Sequence, residues 1–378
     1  MADLVVVTGE ENANQEVTVP VPGRASPIRF RFQVPSGGGA AVPLSTVTFA
    51  DEGTTVPLAD QNGAIVTPFA SVTDAVLASP ANGSVMLTPG LYGPVSIDKP
   101  LQFIGMAERP SSGTVTLDIN VQTNLSAYFE SCIVPFTADA DAVLTFYNCQ
   151  ASGSFPAGGT LNARLSRLED ITGFIDGSGR PAINAFDCTE LTGIEASVAT
   201  LVRCSFAGNI TCDTTLTIKE ASSFAPGITI TATTIDIDAE SLRLAVFAGV
   251  TFVGAVTGFA GETLYWGKLT AIIVGVFVPP GNGRQNYTGA TVTEANTQIF
   301  APRRGVLCFL TALSTAQLKF TARVNGADTA LTVTVNNNTQ SDTTHFVEVQ
   351  KGDLISLASQ DGGNPAASGS ALASAVFL

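Results

Sequence analysis

Phe129-Glu-Ser-Cys132, Phe146-Tyr-Asn-Cys149, Leu165-Ser-Arg-Leu168, Ala185-Phe-Asp-Cys188, Leu201-Val-Arg-Cys204 and Ile218-Lys-Glu-Ala221 form a series of rows. In each, an apolar residue is followed three places later by a second apolar residue, usually a small one. Successive rows begin 17, 19, 20, 16 and 17 residues apart. A unit of that length is too short for a helix-pair repeat. It fits one coil of a β-solenoid, in which no coil can bury its inner face without its neighbours. The pattern runs from about Leu101 to Ile237. The coils are expected to run on to about Phe259, which at about 18 residues per coil and about 4.8 Å per rung gives eight or nine coils stacked over about 40 Å.

Composition agrees. Of 378 residues, 45% are hydrophobic and 13% charged, which suits sheets joined by tight turns and excludes a disordered chain. The net charge is −14 and no run of Lys or Arg stands out, so a nucleic-acid partner is not expected. The opening Met1-Ala-Asp-Leu4 lacks a basic start and a long apolar core. No stretch approaches the roughly 20 apolar residues of a membrane span, and Leu269 to Val278 is too short. Synthesis in a cytoplasm without membrane insertion is the expectation. Cys132, Cys149, Cys188 and Cys204 read as small buried hydrophobes stacked inside the coils. Rung spacing would permit a disulfide, but a reducing cytosol argues against one. Zinc would want paired spacing and histidines, and the single histidine is His345.

Three regions follow. Residues 1–66 read as a small β-rich anchor, with strands expected at Leu4–Val7, Val17–Val21, Ile28–Val34 and Val47–Phe49 and a break at Ser36–Gly39. The region is too small for a core of its own, so completion by a partner subunit is a natural reading. Residues 67–262 hold the coils. Ser71-Val-Thr-Asp74 reads as a capping box opening a short helix that carries Val72, Ala75, Val76 and Leu77. Ser84-Val-Met-Leu-Thr-Pro-Gly-Leu-Tyr92 follows. Ile228–Ile237 is a late pair of strands, and Leu242–Phe247 and Val250–Phe259 are expected to close the stack. Residues 263–378 lose the row pattern. Strands are expected there at 268–278, 296–300, 306–313, 317–324, 331–335, 345–349, 354–357 and 371–378, an antiparallel sandwich.

The helix at Ser71 and the strand, Pro-Gly, apolar, Tyr92 segment after it resemble the entry to right-handed parallel β-helix proteins of the pectate-lyase-like superfamily. Val324-Asn-Gly326 and Phe346-Val-Glu-Val-Gln-Lys-Gly-Asp-Leu-Ile-Ser356, with the apolar strand to the terminus, resemble the tumour-necrosis-factor-like jelly roll. The expected fold is therefore all-β: a right-handed parallel β-helix followed by a jelly-roll sandwich, with a small β-rich N-terminal region. The order of the parts resembles virion spikes, fibres and capsid-attached proteins, above all of bacteriophages. That resemblance implies a homotrimer on a virion surface, joined to other capsid proteins through residues 1–66, with a host glycan or protein receptor as a further partner.

Glycoside hydrolysis needs two carboxyl groups about 5–9 Å apart. The coils contain no histidine and no Asp-Asp pair. Asp176-Gly-Ser-Gly179 reads as a loop. Glu169-Asp170, Asp139/Asp141 and Asp236/Asp238 read as solvated acidic faces, although stacking could gather Asp170, Asp187 or Glu190. Lys351-Gly-Asp353 reads as a turn, His345 as structural, and Trp266 as packing where coils meet sandwich rather than a sugar-stacking platform. No catalytic, cofactor-binding or metal-ligating set emerges. The expectation is a non-enzymatic virion surface protein. A glycan-cleaving tailspike and a non-viral carbohydrate-binding or spore-surface module are the alternatives.

Overall fold

The computed structural model describes residues 14–19, 28–33, 47–65, 67–106, 114–155, 158–173, 179–273, 277–278, 294, 297–361 and 368–378. The expected strand at Leu4–Val7, the break at Ser36–Gly39, most of Asp176–Gly179 and Pro279–Gly281 lie outside them. Near the N-terminus, Asn14–Val19 pairs antiparallel with Ile28–Gln33. The chain forms two compact units, residues 1–136 and 137–378, and each is taken by itself.

In the first unit, Val47–Ala50, Gly83–Leu87, Leu101–Gly105 and Ser126–Glu130 stack as parallel neighbours. Gly90–Ile97 pairs in parallel with Val115–Val121. Parallel register repeats side-chain positions, so Phe103 lies over Phe129 with ring centroids 5.4 Å apart and planes 10° from parallel. The expected helix is Val72–Ala78. Ser71 caps it by accepting from Thr73 N and Asp74 N, and it buries Val72, Ala75 and Val76. Leu77, expected on the buried face, is 68% exposed. Tyr92 is buried, and its hydroxyl donates to Ala50 O at 3.3 Å and meets Thr88 Oγ1 at 3.0 Å. That side chain pins the first stacked strand, and burial pushes its phenol pKa up.

The second unit opens on the coils. Val143–Tyr147, Thr160–Arg164, Ala182–Phe186, Val198–Val202, Thr215–Lys219, Thr229–Ile237 and Thr251–Thr257 are consecutive parallel neighbours. A second parallel stack contains Gln150–Phe155, Arg167–Gly173, Thr189–Thr192, Ser205–Phe206 and Ser223–Phe224. Two inward columns fill the core: Leu144, Leu161, Ile183, Ala199, Leu216, Ile235, and Phe146, Ala163, Ala185, Leu201, Ile218, Ile237. Each of these residues is buried. Coil length is uneven. It takes 22 residues to pass from Ala163 to its partner Ala185 and 16 from Ala185 to Leu201. The longer coil carries its extra residues after Arg167–Gly173.

The register corrects two of the six rows. Ala163, not Leu165, is the partner of Phe146 and Ala185. Leu165 is 49% exposed and turns the corner with φ 52°. The buried residue after that corner is Ser166, and in the last row it is Ser222 rather than the exposed Ala221. Both serines pass as core residues because they are hydrogen-bonded. Ser166 Oγ donates to Arg164 O at 2.8 Å, and Ser222 Oγ donates to Lys219 O at 3.0 Å.

The cysteines hold the same position and make the same kind of bond. Cys149, Cys188 and Cys204 each direct Sγ at the carbonyl two residues back, 3.3–3.4 Å away. In the first unit Cys132 does so at 3.2 Å. The residue before each is left-handed: Ser131, Asn148, Leu165, Asp187 and Arg203 have φ between 52° and 56°. These corners therefore clasp themselves, and the cysteines are more than apolar filler. Between coils, the N–H groups of Asn148, Leu165, Asp187 and Arg203 donate to Arg164, Phe186, Val202 and Lys219 carbonyls at 3.0–3.1 Å. Parallel pairing thus continues around the bend.

Leu242–Phe247 does not extend the coil. It lies in a helix, Ala239–Phe247, started by Asp238, whose carboxylate accepts from Ser241 N at 2.9 Å. An Asp three residues ahead of a donor competes successfully with strand alternation.

The remaining strands form an antiparallel sandwich. Glu262–Ile273, Ser368–Phe377, Gly305–Ser314 and Asn338–Val349 make one sheet, in that spatial order. The other runs Phe277–Val278, Leu354–Asp361, Leu318–Val324, Ala327–Val335, with Ile299–Phe300 also on Leu354–Asp361. With Phe277–Val278 and Ile299–Phe300 taken as two pieces of one edge on Leu354–Asp361, successive strands alternate between sheets except at the hairpin Leu318–Val324/Ala327–Val335, which is the jelly-roll order. The core between the sheets includes Trp266, Leu307, Phe320, Leu357 and Phe377. Coils and sandwich meet through Phe252 against Phe346 (5.5 Å), Phe259 against Phe309 (4.7 Å) and Arg304 over the Phe247 ring (3.7 Å).

Register makes a clear prediction. Leu161→Ala should lower unfolding free energy by about 3 kcal/mol, since it opens a cavity in an inner column. Leu165→Asn, at an exposed left-handed corner, should change it by no more than about 0.5 kcal/mol. Urea unfolding of both variants measures the difference.

Candidate functional site

Two groups of polar residues are organised enough to consider. The first runs along the coil corners. Arg203 grips Asp187 with Nε to Oδ1 at 2.6 Å and Nη2 to Oδ2 at 3.1 Å, and it also contacts Glu220. Arg164 approaches Asp187 from the coil before, at 3.8 Å, and Lys219 meets Asp236 at 2.8 Å on the coils after. On the neighbouring stack Arg167 pairs with Glu169 and Glu190, and Arg180 pairs with Glu195 and Asp213. Basic and acidic side chains therefore alternate from coil to coil. The Arg203 guanidinium holds the Asp187 carboxyl below its ordinary range, and Asp187 in turn raises Arg203.

These are the carboxylates the sequence pointed to. Asp187 and Glu190 are both engaged by arginines, so neither is left as an unpaired acid or base. Asp170 sits at an exposed left-handed position, φ 49°. Asp139 and Asp141 occupy the turn after Ile133–Ala138, with Ala142 N donating to Asp139 O. Asp236 and Asp238 do not share a strand face: the first pairs with Lys219 and the second caps the helix. Glu130 is different. Burial raises its carboxyl, and Tyr128 OH donates to it at 3.1 Å.

The second group lies on the sandwich, and the sequence reading passed over it. A shallow depression is lined by Thr332, Thr334, Gln340, Ser341, Thr344 and His345. Under it is Asp342, whose side chain is only 5% exposed. Its carboxylate accepts from the N–H groups of Thr332, Thr344 and His345 at 2.9–3.2 Å and from Thr344 Oγ1 at 3.1 Å. His345 Nδ1 lies 2.9 and 3.0 Å from its two oxygens. Burial raises the Asp342 carboxyl, but the backbone donors and His345 outweigh it and hold the group below its ordinary range. His345 turns Nδ1 to the carboxylate, and its half-exposed side chain stands beside hydroxyl groups. Such a surface suits hydrogen-bonding to a hydroxylated ligand.

The other singled-out residues are structural. Trp266 is fully buried in the sandwich, away from any stacking role. Asp353 closes its turn by accepting from Gln350 N at 2.7 Å and from Asn325 Nδ2 at 2.8 Å. Among the described residues no group of three metal-ligating side chains occurs. No protein-family model matches the chain, and no curated protein matches it.

Asp342 supplies a pH test. A folded-state pKa below the ordinary aspartate value of about 3.9 means its stabilisation is complete above that pH. It is lost as pH falls through the lower folded value. Asp342→Asn should destabilise the protein at pH 7 by about 2 kcal/mol, and the difference should shrink below about pH 4. Urea unfolding at pH 7 and pH 3 measures it.

Proposed function

We propose that this chain is a structural protein of a virion surface, a trimeric spike, fibre or capsid decoration of the bacteriophage type. It is made in the host cytoplasm. Residues 1–66 join it to other capsid or virion proteins, and the sandwich offers a host-attachment surface for a glycan or protein receptor. The observation that carries this reading is the bracing of the coils. Hydrogen bonds run between coils around the corners, and an ion-pair ladder follows them on the outside. Such a stack resists bending and shear, as an extended particle appendage must.

Two further features support it. Leu313 and Leu372 are Cα partners on adjacent strands of one sandwich sheet, and they are 45% and 36% exposed. Tyr265, on the same sheet, is 49% exposed. Apolar residues on an outward sheet face suit packing between copies of the chain. The alternative of a glycan-cleaving tailspike needs a free carboxyl pair, whereas Asp187, Glu190, Glu195, Asp213, Glu220 and Asp236 are engaged with Arg164, Arg167, Arg180, Arg203 and Lys219.

Native mass spectrometry of the full chain should give the mass of three copies, and Leu313→Asp with Leu372→Asp should shift it toward one. Purified particles of the source virus should carry the protein. A monomeric wild type that is absent from particles, or turnover of a host glycan, overturns the proposal.

A further inference from the structure

Each of the six cysteines is a buried free thiol. Within the second unit, Cys149 stands next to Ser166 and Cys204 next to Ser222. Cys212 is the register partner of Ala196, and Cys308 lies in the sandwich. Cys188 and Cys204 put sulfur at both of two successive corners of that unit. Ala185 pairs with Leu201 and Phe186 with Val202. Two residues on, the same register brings Cys188 opposite Cys204, and Ser205 N donates to Cys188 O at 2.9 Å. Adjacent parallel strands are about 4.8 Å apart, inside the Cα separation a disulfide accepts. Both thiols point inward over the same corner, toward the carbonyls of Phe186 and Val202 at 3.4 Å, and Cys204 Sγ also reaches back a coil to Ala185 O at 3.4 Å.

We propose that Cys188 and Cys204 are an oxidisable pair, a modification site at which a hydroperoxide converts two stacked thiols into a disulfide joining consecutive coils. Cys188, whose pKa the neighbouring Cys204 thiol lowers, attacks as thiolate. Its sulfur takes the terminal oxygen of the peroxide, the O–O bond breaks, and hydroxide or alkoxide leaves, giving Cys188 sulfenic acid. Cys204 sulfur then attacks Cys188 sulfur, the S–O bond breaks, the hydroxide leaves as water with the Cys204 proton, and the S–S bond closes. Overall, two thiols and one hydroperoxide give one disulfide, water, and water or an alcohol. A small oxidant is required because the two residues are only 1% and 2% exposed. A resolving thiol one rung away keeps the sulfenic acid from further oxidation. The pair stays open among cytosolic thiols and closes after exposure to peroxide.

The test treats the full-length folded protein with hydrogen peroxide and counts thiols after denaturation. Two of six should be lost, with a mass decrease of two hydrogens that a dithiol reductant reverses. Trypsin cleaves after Arg203, so the Cys188 and Cys204 peptides should appear as one disulfide-linked species. Ser166 and Ser222 show that serine fits this corner, so Cys188→Ser and Cys204→Ser should fold. Cys204→Ser should accumulate a sulfenic acid at Cys188 that dimedone traps, and neither single variant should give the linked peptide. Retention of all six thiols in the wild type overturns the proposal. So does Cys188 sulfinic acid without the linked peptide, or equal thiol loss in Cys188→Ser.

Discussion

The coils depend on a corner at which one residue adopts the left-handed conformation and the next turns a small sulfur or oxygen back onto the chain. Left-handed φ is costly for most side chains, yet Leu165, Asp187 and Arg203 all adopt it. The cost is met because the bend keeps each N–H aligned with a carbonyl of the next coil. Without it, parallel pairing would stop at the strand ends and leave buried backbone groups unpaired. A cysteine or serine fits the small buried position because its polar atom can be satisfied within the turn, two or three residues back, while the side chain remains small enough to leave the inner columns undisturbed.

The same economy governs the ends of the stack. A parallel sheet without a neighbour exposes backbone groups and apolar side chains. In the first unit, helix Val72–Ala78 lays Val72, Ala75 and Val76 inward, and Tyr92 ties the outermost strand. In the second unit, helix Ala239–Phe247 and the sandwich cover the last coil, with Phe252, Phe259 and Phe247 each given a partner from the sandwich. Charge is handled outside the core: Arg164 and Arg203 on the corners face carboxylates from adjoining coils.

The repeat, the capped first helix and the strand run of the sandwich were all legible, because each rests on local chemistry: period, cap residue or turn residue. The row slip at Leu165 shows where that ends. Inside-outside patterning prefers a leucine to a serine, and only the inter-coil register reveals that Ser166 is the buried one. The second helix was hidden because Asp236 and Asp238 alternate as a strand would, although Asp238 with Ser241 is a cap signal in plain view. The depression around Asp342 was illegible for a deeper reason. A threonine-rich strand with one aspartate reads as solvated surface, and nothing local shows that backbone amides of Thr332, distant by a whole hairpin, converge on that carboxylate. His345 was read as structural, and its pairing with Asp342 depends on the same bend.

Coil length is where the architecture leaves room. The step from Ala163 to Ala185 spends six more residues than the next one, yet both land in the same inner column. Vertical alignment is therefore set at the corner and the inner columns, and the remaining side of the coil is free to bulge. A lineage of such chains can lengthen or decorate that side without renegotiating the stack. Outward diversity and inward constancy are assigned to different parts of every turn.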